Sequence, residues 1–159
     1  MSMRRLAIAF GTAVLAFAAM AGTAAADKPA ASTFVAVLSS DEETGVCAGI
    51  SNSARGLAVF HVTDETTGTV EWKLVANNLP GTTFAAHIHV GPPGVAGPVV
   101  QPLPFPAGNE NGVIGTGTFT NAALVAAIRA NPGNYYVNVH TRPDCLGGVI
   151  RGQFGDHGP

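Results

Sequence analysis

After residue 33 the chain alternates apolar and polar positions in short runs separated by turn residues. Phe34-Val35-Ala36-Val37-Leu38 is a compact β-prone run, and a polar stretch without clear periodicity follows from Ser39 to Arg55. Leu57 to Thr63 and Thr69 to Ala76 flank Asp64-Glu65-Thr66-Thr67-Gly68, which predicts a hairpin with glycine at the turn. In the second of these runs Val70, Trp72, Leu74 and Ala76 share one face and Glu71, Lys73 and Val75 the other, as in a half-buried antiparallel strand. Asn78-Leu79-Pro80-Gly81 interrupts the pattern and Phe84 to Val90 resumes it. Six prolines between Gly91 and Gly108 exclude a central strand and predict an extended surface loop.

Val113 to Phe119 predicts a glycine-interrupted strand, after which the period changes. Leu124, Ala127 and Ile128 lie at helical spacing, with Thr120 or Asn121 as cap and Asn131-Pro132-Gly133 as the stop, so one short helix is predicted at about 121–130. Tyr135 to His140 and Val149 to Phe154 are the last strands, joined by a loop that carries Cys145. Seven or so short strands and one helix predict a mainly β chain, an antiparallel β-sandwich or Greek-key barrel.

Composition changes this picture at the N-terminus. Of the 159 residues 47% are hydrophobic and 11% charged, and part of the apolar excess lies in the first 26. Met1 to Arg5 form a positive region, Leu6 to Gly22 an apolar one, and Ala24-Ala25-Ala26 a small-residue cleavage site, the features of a signal peptide. A membrane anchor is the alternative, but the run is shorter than the ~20 apolar residues of a span. Export through the general or the twin-arginine route, the latter hinted at by Arg4-Arg5, is left open. The expected organisation is a signal peptide over 1–26, a linker over 27–33, one domain over 34–155 and a tail over 156–159. No other stretch is apolar enough to cross a bilayer.

With Arg4 and Arg5 removed, six basic side chains face ten acidic ones, so the exported chain has no electrostatic reason to bind nucleic acid. The expected partner is an extracellular protein or surface ligand. Cys47 and Cys145 are the only two cysteines. In an oxidising compartment they are expected to form a disulfide, which on the chain-entropy model would stabilise by about 4 to 5 kcal/mol; two separate buried thiols are the alternative.

His87-Ile88-His89 is the most informative local unit, because strand alternation puts both imidazoles on one face, their Cα atoms ~7 Å apart. His140 ends the next-to-last strand, on the face that also displays Asn138 and Tyr136. Three imidazoles without a thiolate suit Cu(II) or Zn(II). The competing reading is a hydrogen-bonded polar seam without metal. His61, at the end of an apolar face, reads as a satisfied core or edge residue. Arg151 either pairs with Asp144 or Asp156 or guides an anion to a nearby ion. Asp41, Glu42 and Glu43 read as a solvated acidic run. No nucleophile elbow and no phosphate-binding glycine loop in a βαβ setting is present.

Taken together, Ala86-His87-Ile88-His89, the loop Gly91-Pro92-Pro93-Gly94-Val95-Ala96-Gly97-Pro98, Tyr136-Val137-Asn138-Val139-His140-Thr141 and Gly147-Gly148-Val149-Ile150-Arg151-Gly152-Gln153 resemble the CHRD domain family, named from the repeats of chordin. The similarity runs from about Phe34 to Phe154 and implies an extracellular, immunoglobulin-like β-sandwich, without implying an established reaction. Two features depart from the family. Glu43-Thr44-Gly45-Val46 stands where Glu-Val-Pro is usual, and both cysteines lie where many members have none. His87-Ile88-His89 also resembles the His-Xaa-His copper strand of Cu/Zn superoxide dismutase, whose anion-guiding arginine Arg151 loosely echoes, but the zinc loop and the bridging histidine are absent. Three functions follow as expectations: a binding module holding one copper ion through His87, His89 and His140, a copper-dependent superoxide dismutase, or a metal-free interaction domain.

Overall fold

The computed structural model describes residues 32–50, 53–143 and 145–155. The proposed signal peptide, most of the linker, Asp144 and the tail with Asp156 and His157 lie outside them. Eight antiparallel strands form: β1 Thr33–Ser39, β2 Arg55–Asp64, β3 Thr69–Asn77, β4 Thr82–Val90, β5 Val99–Pro102, β6 Gly112–Thr120, β7 Tyr135–Arg142 and β8 Cys145–Gln153, with one α-helix, α1, at Ala122–Ala130. They make a single sheet in the order β5-β4-β7-β8-β1-β2-β3-β6. The sheet is joined at its middle by the pair Ser39 with Arg151 and, just past β8, by a bridge between Ala36 and Phe154. It curls there, so the inner faces of its two halves enclose a common core, as the expected sandwich requires.

The alternation read from the sequence decides which side chains enter that core. Val70, Trp72, Leu74 and Ala76 are all buried while Glu71 and Lys73 face solvent. Phe34, Phe60 and Phe154 meet edge to face or tilted near the centre. From the other half come Ala86 and Ile88 of β4, Val137 and Val139 of β7, and Ile150 of β8, none more than 1% exposed. Helix α1 closes one side with Leu124, Val125 and Ile128. Its cap is Asn121, whose side chain accepts from the Leu124 amide at 3.1 Å, and in its last turn Arg129 grips Glu65 through two contacts of 2.6 and 2.7 Å.

Two local differences from the sequence reading have physical reasons, and a third concerns the cysteines. The proline-rich loop contains the short strand β5, which lies at the sheet edge, where Pro102 leaves no ladder hydrogen bond unmade. β8 begins at Cys145, because Thr141 pairs with Cys145 across a tight connection where a longer loop was expected. No disulfide joins Cys47 and Cys145. Both residues are buried, Cys47 in the 3-10 turn Gly45–Cys47 and Cys145 at the start of β8. Among the described residues no helix is long and apolar enough to cross a membrane.

Because Ile150 is fully buried between the halves, Ile150→Ala is expected to cost about 2 to 5 kcal/mol in urea unfolding. Glu65→Ala, which cuts a solvent-exposed pair, is expected to leave the urea midpoint nearly unchanged.

Candidate metal centre

Strand β7 is buried along nearly its whole length on both faces. Val137 and Val139 enter the core, so Tyr136, Asn138 and His140 must point to the other face. Residues paired across a ladder share a face. His89 stands opposite Tyr136, His87 opposite Asn138 and Ala85 opposite His140, while Arg151 and Gln153 of β8 stand opposite Asn138 and Tyr136. The outer face of β4, β7 and β8 is therefore a polar patch inside an apolar sheet.

The proline-rich segment covers it. The Gly97 amide donates to the Tyr136 hydroxyl at 2.9 Å, and Gln153 Nε2 donates to the Gly91 carbonyl at 3.0 Å. The Arg151 guanidinium donates to the carbonyls of Val95 and Pro92, each at 2.9 Å, and to Gln153 Oε1. A side chain at Gly97 would collide with the Val90 carbonyl, so only glycine lets the segment lie this close to β4. Two rings and a guanidinium stack beneath it: the His89 imidazole lies parallel to Tyr136 at 4.8 Å, and the Arg151 guanidinium sits 3.5 Å from the centre of the Tyr136 ring.

The three histidines converge. One ring nitrogen from each of His87, His89 and His140 lies within 4.8 Å of the others. Hydrogen bonding fixes which nitrogens are free to act. His89 Nδ1 lies 2.8 Å from the Gly97 carbonyl and His140 Nδ1 lies 2.9 Å from the Leu146 carbonyl. A carbonyl only accepts, so both Nδ1 atoms carry hydrogen and both neutral rings keep a lone pair on Nε2. His140 Nε2 faces His87 Nδ1 at 3.1 Å, and His89 Nε2 is buried with no protein partner. An orphaned buried lone pair aimed at two other imidazoles is what a metal ligand looks like before its ion arrives. Two nitrogens bound to one ion at ~2.0 to 2.1 Å are at most ~4.2 Å apart, so the widest separation here closes with less than ~1 Å of side-chain movement.

Burial disfavours the protonated form of all three rings. His87 falls to about 4, first by burial and then through His140 and His89. Neutral rings at physiological pH are ready to coordinate. His87 is also the most exposed of the three, beside a depression of about 270 Å³ walled by Phe84, Phe105 and the Pro102–Pro104 segment. A larger groove of about 570 Å³ on the other half of the sheet holds His61 with Glu71 and Lys73, but no second imidazole.

The parity argument for His87, His89 and His140 is thus matched by the structure, while two other expectations are corrected. Arg151 is 1% exposed and its guanidinium is taken up by loop carbonyls, Gln153 and Tyr136, so it organises the loop instead of presenting itself to an incoming anion. Glu43 is not a solvated member of an acidic run. It is 6% exposed and accepts from the Thr44 amide at 2.8 Å and from Asn138 Nδ2 at 3.5 Å, whereas Asp41 lies outside on Arg55 at 2.9 Å. Strand parity could have found Gln153, but nothing in an aperiodic loop marks Glu43. His61 is exposed and meets Thr33 Oγ1 at 3.2 Å, at the surface and not in the core.

The CHRD domain family matches residues 34–154, nearly all of the described chain. No curated protein and no solved structure matches it.

Two outcomes follow from this geometry. An unfolded histidine binds its proton near 6.5, the folded His87 only near 4, so between these values the unfolded chain holds more protons and stability is lost as the pH is lowered. The melting temperature of the metal-free protein is expected to drop as pH goes from 6.5 toward 4, and His87→Gln to drop less over the same range. Arg151→Lys keeps the charge but loses the fork, and the amides of Val95 and Gly97 are expected to exchange hydrogen at least ~10-fold faster in that variant.

Proposed function

As the chain belongs to the CHRD family, we propose that it is an exported domain of that family whose outer sheet face binds one copper ion through His87 Nδ1, His89 Nε2 and His140 Nε2. The observation that carries this reading is the buried, unpartnered Nε2 of His89 facing the other two rings. The Gly97 and Leu146 carbonyls hold two of the three imidazoles in the tautomer that coordination needs. His87 alone must change: its Nδ1 hydrogen bonds His140 Nε2 without metal and would move to its own Nε2, with no net proton lost.

Copper is favoured over zinc by the ordinary affinity order of divalent ions at an all-imidazole site. His87, the most exposed of the three and beside the Phe84 and Phe105 depression, gives an ion or a small ligand its approach. The dismutase alternative would need a cation offered to superoxide, and Arg151 is committed elsewhere. We therefore read the domain as a binding module. The exposed apices Pro93 to Val95 of the covering loop suit an extracellular partner.

The test is calorimetric titration of Cu(II) into wild type and into His87→Ala, His89→Ala and His140→Ala. Each variant is expected to lose at least ~100-fold in affinity, and a superoxide assay with free copper removed is expected to show little turnover. Equal binding by all four proteins overturns the site, and fast dismutation by the wild type alone replaces the binding reading with the enzymatic one.

A further inference from the structure

Beside the histidines lies a second pair of buried polar atoms without partners. Glu43 Oε2 and Asn138 Oδ1 are both inaccessible and unbonded, although their neighbours Glu43 Oε1 and Asn138 Nδ2 face each other at 3.5 Å. A carboxylate oxygen and an amide oxygen are both acceptors, so two such orphans on side chains already in contact constitute an electrostatic conflict. One hydrogen resolves it. If Glu43 carries a proton on Oε2, it donates to Asn138 Oδ1 while Asn138 Nδ2 donates to Glu43 Oε1, and the acid and the amide close a two-bond ring. Gly148 leaves the space that the Asn138 amide occupies, since a Cβ there would overlap it.

We propose that Glu43 is held as a neutral carboxylic acid by Asn138 and that it serves as the proton-exchanging group of the metal centre, giving up its proton when a divalent ion enters. The coupling rests on the three-histidine reading; the acid–amide ring does not. Its warrant is charge. Three neutral imidazoles leave the ion's two charges uncompensated in a site that already holds the Arg151 cation, and Glu43 is the one buried acid among the described residues. Asn138 stands between them, as the cross-strand partner of both His87 and Arg151. The O–H bond of Glu43 breaks, the proton leaves to solvent, and the carboxylate formed adds the negative charge that the site lacks.

Other groups near Glu43 do not account for the pattern. Arg151 on β8 favours the ionised form and makes no hydrogen bond to it, and His87 on β4 lies beyond Asn138. Burial outweighs the Thr44 amide, Arg151 and Asn138, and raises the Glu43 carboxyl above the ordinary glutamate value.

Infrared difference spectroscopy of the full exported chain tests both parts. In metal-free wild type at pH ~6, where an ordinary glutamate is ionised, the carbonyl stretch of a protonated carboxyl is expected, and it is expected to be absent from Glu43→Gln. Glutamine can make the same two-bond ring, so Glu43→Gln is expected to melt within a few degrees of wild type and Glu43→Ala well below it. On adding Cu(II) the band is expected to vanish, with nearly one more proton released per ion by wild type than by Glu43→Gln in titrations across buffers of different ionisation enthalpy. Absence of the band in metal-free protein overturns the neutral acid whatever the metal does. A band that survives demonstrated Cu(II) binding overturns the coupling and leaves the metal site standing. Failure of Cu(II) to bind removes the metal reading and the coupling with it, and leaves the acid–amide ring.

Discussion

The structure depends on burying one guanidinium. Arg151 has no carboxylate in hydrogen-bond contact among the described residues, yet it lies in the middle of a sheet face at 1% exposure. A buried cation is tolerated only when its donors are matched. Two loop carbonyls and the Gln153 side chain match them, and the Tyr136 ring lies beneath the charge. Those carbonyls belong to Pro92 and Val95, so the demand for acceptors folds the proline-rich segment down over the sheet. The covering segment then supplies the Gly97 carbonyl that sets the His89 tautomer.

This arrangement explains why one strand holds two opposite chemistries. β7 is buried on both sides, apolar toward the core and polar beneath the loop, and its neighbours β4 and β8 follow the same division. Burial lowers the proton affinity of the imidazoles on the polar side and raises that of Glu43. Desolvation acts against charge of either sign, so the patch around Arg151 is built from groups held neutral. An incoming cation changes that balance for all of them together.

The departures from the CHRD pattern fall at the rim of this patch. Where the resemblance expects Glu-Val-Pro, the Glu43 side chain accepts from the Thr44 amide and the 3-10 turn Gly45–Cys47 follows. Cys47 ends that turn and Cys145 begins β8, and both are buried.

Strand alternation alone was enough to show the faces of β3, the shared side of His87 and His89, and the kinship of His140 with Asn138 and Tyr136, because a period of two leaves no choice of side within one strand. The helix was equally legible, since its cap, period and stop are local. Other features were decided only when the strands paired. That His140 meets His87 at 3.1 Å depends on β4–β7 register, which spans more than fifty residues of sequence. Arg151 was legible as unusual, but its acceptors lie 56 and 59 residues away, in backbone carbonyls that every residue possesses and no pattern distinguishes. Periodicity gave Glu43 no mark: in an aperiodic acidic run, only the tertiary fold determines which of three carboxyls is taken out of water.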